Sequence, residues 1–148
     1  MERIEIRVIE RPDDDDPEKM LRWFVAVLGL SSDNNDSIES EILKEFAYAA
    51  KEGNAGLSSS ELRFDKSVPR STVIYHLNRF IEAGVIVKRG RKYHLRAKEM
   101  AKVVEELEYD IDREMHRMLD MAKDFDRLFD ASDRKVIKLP RMKRRKEE

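Results

Sequence analysis

Between Ala97 and Asp130 the chain runs for 34 residues without a proline or a glycine. Nothing in that stretch forces a helix to end, and at about 1.5 Å per residue such a helix reaches about 50 Å, further than one small domain covers. Apolar residues recur along it at Ala97, Met100, Val104, Leu107, Ile111, Met118, Met121, Phe125 and Leu128, alternately three and four apart, with Glu114 as the one polar intrusion. A second row, Met115, Leu119, Ala122 and Phe129, widens the face. A seam this long calls for another helix. Met100, Val104, Leu107, Ile111, Met118, Met121, Phe125 and Leu128 are the expected contacts of a homodimer whose coiled-coil helices run antiparallel or crossed; the competing solution is a hairpin with an N-terminal helix of the same chain.

The 148 residues suffice for one domain with extensions. At the N-terminus, Ile4, Ile6 and Val8 alternate with Glu5 and Arg7, the pattern of a half-buried strand that needs a partner. The acidic run that follows ends in Asp16, a good N-cap, and Pro17 suits the first helical position, so the cluster is read as a helix start rather than a metal site. The helix it opens, to about Gly29, is apolar on nearly every side and is expected to be buried all round, in part by another subunit. After the polar linker "SSDNNDS", Asp36 or Ser37 is expected to cap a helix ending at Gly53, with Ile38, Ile42, Leu43, Phe46 and Ala50 as its apolar stripe. A brief serine-capped helix carrying Leu62 comes next. Pro69 starts a third main helix that closes on Gly84. "VIVKRGRKYHL" alternates on both sides of Gly90, as a β-hairpin does.

Charge is balanced over the whole chain, 30 Lys and Arg against 31 Asp and Glu, but not along it. Residues 1–55 carry 7 basic and 14 acidic groups, residues 56–98 carry 10 and 3, and residues 99–148 carry 13 and 14. A block of net +7 between acidic flanks points to a surface for a polyanion. From Val68 to Leu95, six lysines and arginines and two histidines meet one acid, Glu82. The third helix separates into faces: Val73, Ile74, Leu77, Phe80 and Ile81 on one, Ser71, Thr72, Tyr75 and Arg79 on the other, His76 and Asn78 at the boundaries, and Arg70 in the first turn. A helix fits the DNA major groove, and this polar face has residue types suited to base edges and phosphates.

The stretches "DSIESEILKEFAYAAKEG", "GLSSSELRF" and "VPRSTVIYHLNRFIEAGVIVKRGRKYHLR" resemble the winged helix-turn-helix domain of ArsR-like and MarR-like transcriptional regulators, archaeal ones in particular, over roughly residues 36–96. The resemblance implies base and phosphate contacts from Arg70, Ser71, Thr72, Tyr75 and Arg79. It implies phosphate or minor-groove contacts from the wing residues Lys88, Arg89, Arg91 and Lys92, and dimerisation through the C-terminal helix. With no cysteine in the chain, the thiolate metalloid sensing of ArsR-like proteins is excluded.

The expected architecture is therefore mainly α with a small β-hairpin. An N-terminal strand and apolar helix occupy 1–35, a winged helix-turn-helix domain 36–96, a long dimerisation helix 97–131 and a basic flexible tail 132–148. The expected function is a cytoplasmic homodimeric regulator, a repressor, bound to double-stranded DNA at an inverted repeat; the same basic surface would also suit a protein-interaction module or an RNA-binding factor. No membrane segment, cofactor, metal site or enzymatic activity is expected. The longest apolar run, Trp23 to Leu28, is far below the roughly 20 residues that span a bilayer, and no serine, histidine and acid form a recognisable catalytic set. Asp112 and His116 stand one helical turn apart, which suits an ion pair better than a two-ligand metal site. An effector pocket where Trp23 and Phe24 meet the methionines of the long helix stays open. The abundance of charge, with no glutamine, fits a thermophile. The tail, with eight basic residues from Arg134 to Lys146, is expected to be extended: a solubilising tail, an arm for phosphates or a strap for the acidic helix before it.

Overall fold

The computed structural model describes residues 2–31 and 38–131. The cap expected at Asp36 or Ser37, most of the polar linker and the basic tail lie outside the described residues. Four helices, one 3₁₀ turn and one antiparallel hairpin make up what is described: α1 (Pro17–Val27), α2 (Ile38–Lys51), the turn Ser59–Glu61, α3 (Arg70–Glu82), β1 (Ile86–Arg89), β2 (Lys92–Leu95) and α4 (Met100–Ala131). No described helix is long and apolar enough to cross a membrane. Two compact units divide the chain, the first ending at Glu108 and the second starting at Tyr109.

In the first unit the helix ends carry out what their residues dictate. The Asp16 carboxylate accepts the Glu18 amide at 3.0 Å and Pro17 takes the first position of α1. Gly84, at φ 81°, ends α3: its amide donates to the Ile81 carbonyl at 3.0 Å and the Val85 amide to that of Phe80 at 3.1 Å. This pair of bonds needs a left-handed residue between them, which glycine supplies without a Cβ penalty. The chain thus reverses directly into β1. Arg89 pairs with Lys92, leaving Gly90 and Arg91 as a two-residue loop in which only Gly90 has positive φ, the pattern of a II′ turn.

The core gathers Ile42, Leu43, Phe46 and Ala50 of α2, Val73, Leu77 and Phe80 of α3, Val85, Ile86, Tyr93 and Leu95 around the hairpin, and Val103 and Leu107 of α4. The expected helix after Gly56 is only a 3₁₀ turn, with Leu62 buried behind it. Before that turn, Leu57 and Tyr93 exchange both backbone hydrogen bonds, at 2.9 and 2.8 Å, so a single residue extends the sheet beyond β2. Arg96 closes the far side: its Nη1 donates to the Gly84 carbonyl at 3.3 Å and its Nε lies 2.9 Å from Glu106 of α4.

One expectation is overturned. Residues 2–16 contain no strand, and Ile4, Ile6 and Val8 are exposed. A strand needs a ladder partner. Here the amides of Glu2 and Arg3 instead reach the Glu82 carbonyl at 3.0 and 3.2 Å, and that of Arg7 the Val27 carbonyl at 2.7 Å, both at helix ends that want donors. The Trp23 indole N–H pins the same segment, donating to the Ile9 carbonyl at 3.0 Å. Within the chain α1 is covered on one side: only Val25 is fully buried, Leu21 and Phe24 pack partly against the core, and α2 is its main neighbour.

Candidate nucleic-acid interface

Because Val73, Leu77 and Phe80 commit one face of α3 to the core, its other face is left to solvent. Arg70, Ser71 and Asn78 are exposed, Tyr75 is 58 % exposed and Thr72 is half-buried. Pro69 stands at the N-cap, where it offers no side-chain cap, and no side chain among the described residues is seen on the first amide groups. The positive end of α3 is thereby left open for an anion. On the hairpin, Lys88, Arg89, Arg91 and Lys92 are all exposed. The Lys88 ammonium stands 5.3 Å from the centre of the Tyr93 ring, and Lys92 lies 3.7 Å from Glu61. Ser58, and more weakly Lys92, hold the Glu61 carboxyl below the usual carboxylate range.

Arg70, Arg89 and Arg91 make no side-chain ion pair or hydrogen bond among the described residues, and Arg63, which the sequence reading passed over, is exposed and equally unpaired. The structure puts these cations and the polar face of α3 on one compact unit. Arg79 is different. Its guanidinium donates to the carbonyls of Gly29 at 2.7 Å and Leu30 at 3.1 Å, where α1 ends, and lies 5.9 Å from the Tyr75 ring centre. It holds α1 against α3 and positions Tyr75, and its donors facing α1 are not free for phosphate.

His76, at the edge of the polar face, turns inward. It is 8 % exposed, with Nδ1 3.6 Å from Oε2 of Glu39, itself 2 % exposed, and neither atom has a hydrogen-bond partner. Burial pushes the His76 imidazole below its ordinary range, the Glu39 carboxylate pulling it up and Arg79 pushing it further down. The folded chain therefore refuses a proton that the unfolded chain accepts near the ordinary histidine pKa of about 6.5. Below that pH the unfolded state binds more protons, so stability falls as pH falls. Urea denaturation at successive pH values is expected to show this decline from about pH 6.5 downward, and His76→Gln is expected to flatten it; a slope unchanged in the variant would assign the decline to other groups.

The long helix is divided between two roles. Leu107 is 8 % exposed and belongs to the core of the first unit, beside Val103, which the sequence reading did not assign. Met100 packs partly against the same core. Val104 is exposed, Ile111 half-buried, and Met118, Met121, Phe125 and Leu128 are exposed. An open groove of about 320 Å³ lies between α1, α2 and the start of α4, lined by Leu21, Phe24, Ala47, Tyr48 and Met100 with Lys44 and Lys51 among its polar residues. Of the aromatic pair expected there, Phe24 lines it and Trp23 does not. His116 Nδ1 sits 3.6 Å from the Asp112 carboxylate with both side chains exposed, and the described residues hold no group of three or more potential metal ligands. Comparison with family models, with curated proteins and with solved structures returns no match to this chain.

Proposed function

We propose that the chain is a DNA-binding transcriptional regulator of the winged helix-turn-helix type, acting as a homodimer. In this reading α3 lies in the major groove, the β1–β2 hairpin is the wing on the backbone or minor groove, and the protein represses from an inverted repeat. The observation that carries it is the set of unpaired cations in one unit, Arg70 in the first turn of α3 and Arg89 and Arg91 at the tip of the hairpin, together with the exposed Tyr75 on α3. An ordinary solvated face mixes signs, whereas a surface for a polyanion keeps its cations free. The order of helix, turn, helix and basic hairpin, with Leu57 joined to the hairpin's edge, supports the winged-helix reading of residues 36–96. Two recognition helices can enter successive grooves about 34 Å apart only in a two-fold assembly, which is why the reading includes a dimer.

Anisotropy titrations with a random duplex, a single strand and a structured RNA test the proposal directly. Duplex is expected to bind most tightly and to weaken steeply with salt; no duplex binding at low salt removes the proposal, and preference for RNA replaces it. Selection of duplexes from a random pool is expected to return an inverted repeat.

Within that reading, base and backbone contacts are separable. Arg70→Ala or Tyr75→Ala is expected to change sequence preference at a cost of about 1–3 kcal/mol. Arg91→Ala is expected to weaken all duplexes alike and to reduce the slope of log affinity against log salt by about 0.9. Altered preference in Arg91→Ala alone would reverse the assignment of the two elements.

A further inference from the structure

From Tyr109 to Ala131 the long helix forms a unit of its own, with Met115, Met118, Met121, Phe125, Leu128 and Phe129 each more than half exposed. Phe125 and Phe129 stack on each other, ring centres 5.3 Å apart, along that open face. In heptad terms Ile111, Met118 and Phe125 form one seam position and Glu114, Met121 and Leu128 the other, flanked by Arg117 and Asp124 on one side and by Met115, Ala122 and Phe129 on the other. We infer that two copies of the chain pair antiparallel along this stretch in one register. Ile111 lies opposite the partner's Leu128, Met118 opposite the partner's Met121, and Arg117 beside the partner's Asp124. The inference rests on the homodimer of the proposed function and specifies its geometry.

Charge chooses the direction. In a parallel pair every seam residue faces its own copy, so Glu114 meets the partner's Glu114 inside the interface, two like charges losing water together. Arg117 and Asp124 would then face Ala122 and Phe129 of the partner subunit and gain nothing. In the antiparallel pair Glu114 falls opposite the partner's Phe125, and its carboxylate is already held by Arg117 of its own chain at 2.6 Å. Asp124 is likewise held by its own Arg127 at 3.0 Å. Setting Arg117 beside the partner's Asp124 links these two pairs into a chain of alternating sign, Arg127, Asp124, Arg117 and Glu114, formed twice by symmetry.

Charge also chooses the register. Sliding the helices by one heptad in one direction sets Arg117 against the partner's Arg117, and in the other direction sets Asp124 against the partner's Asp124. Only the middle register pairs opposite signs, and it also places the large Met115 against the small Ala122 of the partner subunit. Seam packing supplies the affinity, and the charged flank discriminates between alignments.

The chain has no cysteine, so an introduced one is its only thiol. Ile111 and Leu128 are 17 residues apart, about 25 Å along a helix. A mixture of Ile111→Cys and Leu128→Cys full-length chains is expected to form a mixed disulfide dimer on mild oxidation, and neither chain alone is expected to cross-link. Self-cross-linking of either chain, or no mixed product although sedimentation shows a dimer, overturns the antiparallel register and leaves the homodimer standing. A monomer at all concentrations removes both. Charge exchange gives a second reading: Arg117→Asp and Asp124→Arg are each expected to weaken the dimer about tenfold at low salt, and together to recover part of that loss, since the link between helices is rebuilt while Glu114 and Arg127 then face like charge within each chain. A double variant no tighter than the single ones, at equal helix content by circular dichroism, also overturns the register.

Discussion

Replacing Phe80 by alanine is expected to lower the stability of the chain by about 3–5 kcal/mol, against the about 5–15 kcal/mol that a folded domain ordinarily has. Phe80 is fully buried, lies among the residues of the shared core and sits on the last turns of α3, where its carbonyl accepts the bond from Val85 that turns the chain into the hairpin. A cavity there removes contacts from the one helix on which the proposed DNA surface is built. Denaturant unfolding measures the effect as a lower midpoint with an unchanged slope. Tyr75→Ala, on the opposite face of the same helix and 58 % exposed, is expected to change stability by no more than about 0.5 kcal/mol. Near-equal losses in the two variants would mean that α3 does not present its faces as described.

The second large effect is at Arg79. Arg79→Leu is expected to cost about 2–3 kcal/mol, since two carbonyls at the end of α1 lose charged donors at 2.7 and 3.1 Å. Arg70→Ala, which removes an exposed and unpaired cation, is expected to leave stability within about 0.5 kcal/mol while weakening DNA binding. The two arginines stand nine positions apart on one helix and separate structure from recognition. If Arg79→Leu kept full stability and lost DNA affinity, its place would be on the phosphate backbone instead.

Arg79 also shows where the sequence stops being legible. Its position on the polar face of α3 is correct, but its partners are backbone carbonyls about fifty residues earlier, and no helical wheel contains them. His76 is a boundary residue on its helix, whereas Glu39 falls within the apolar stripe of α2, a signal that a helical wheel does hold; what the wheel does not hold is that the two meet, Nδ1 3.6 Å from Oε2. Local devices were readable because they act over a few residues. Asp16 with Pro17, Gly84 and the Gly90 turn each place an element end within a residue or so of where it lies. The alternation of Ile4, Ile6 and Val8 misled because a period of two describes a strand's faces and says nothing about whether an edge is available to it. The long helix carries its apolar stripe, yet of the first part Leu107 and, partly, Met100 are spent on the chain's own core, Val103 joins them from outside the stripe, and Val104 within it is exposed. The unpaired cations of the candidate surface were visible as a charge block, and only the structure tells Arg70 and Arg91 apart from the engaged Arg79.

Trp23 is the only tryptophan in the chain, and its indole is tied to the backbone of Ile9. Intrinsic fluorescence excited at the indole band therefore has a single source, located where the N-terminal segment lies along α1 and outside the core around Phe80. An emission change in denaturant reports that segment letting go, whereas the far-ultraviolet dichroism reports the helices. Coincident curves would mean that residues 2–16 unfold with the core as one cooperative body; an earlier fluorescence change would mean that they peel away first, and that a free energy taken from emission alone describes the peeling and not the fold.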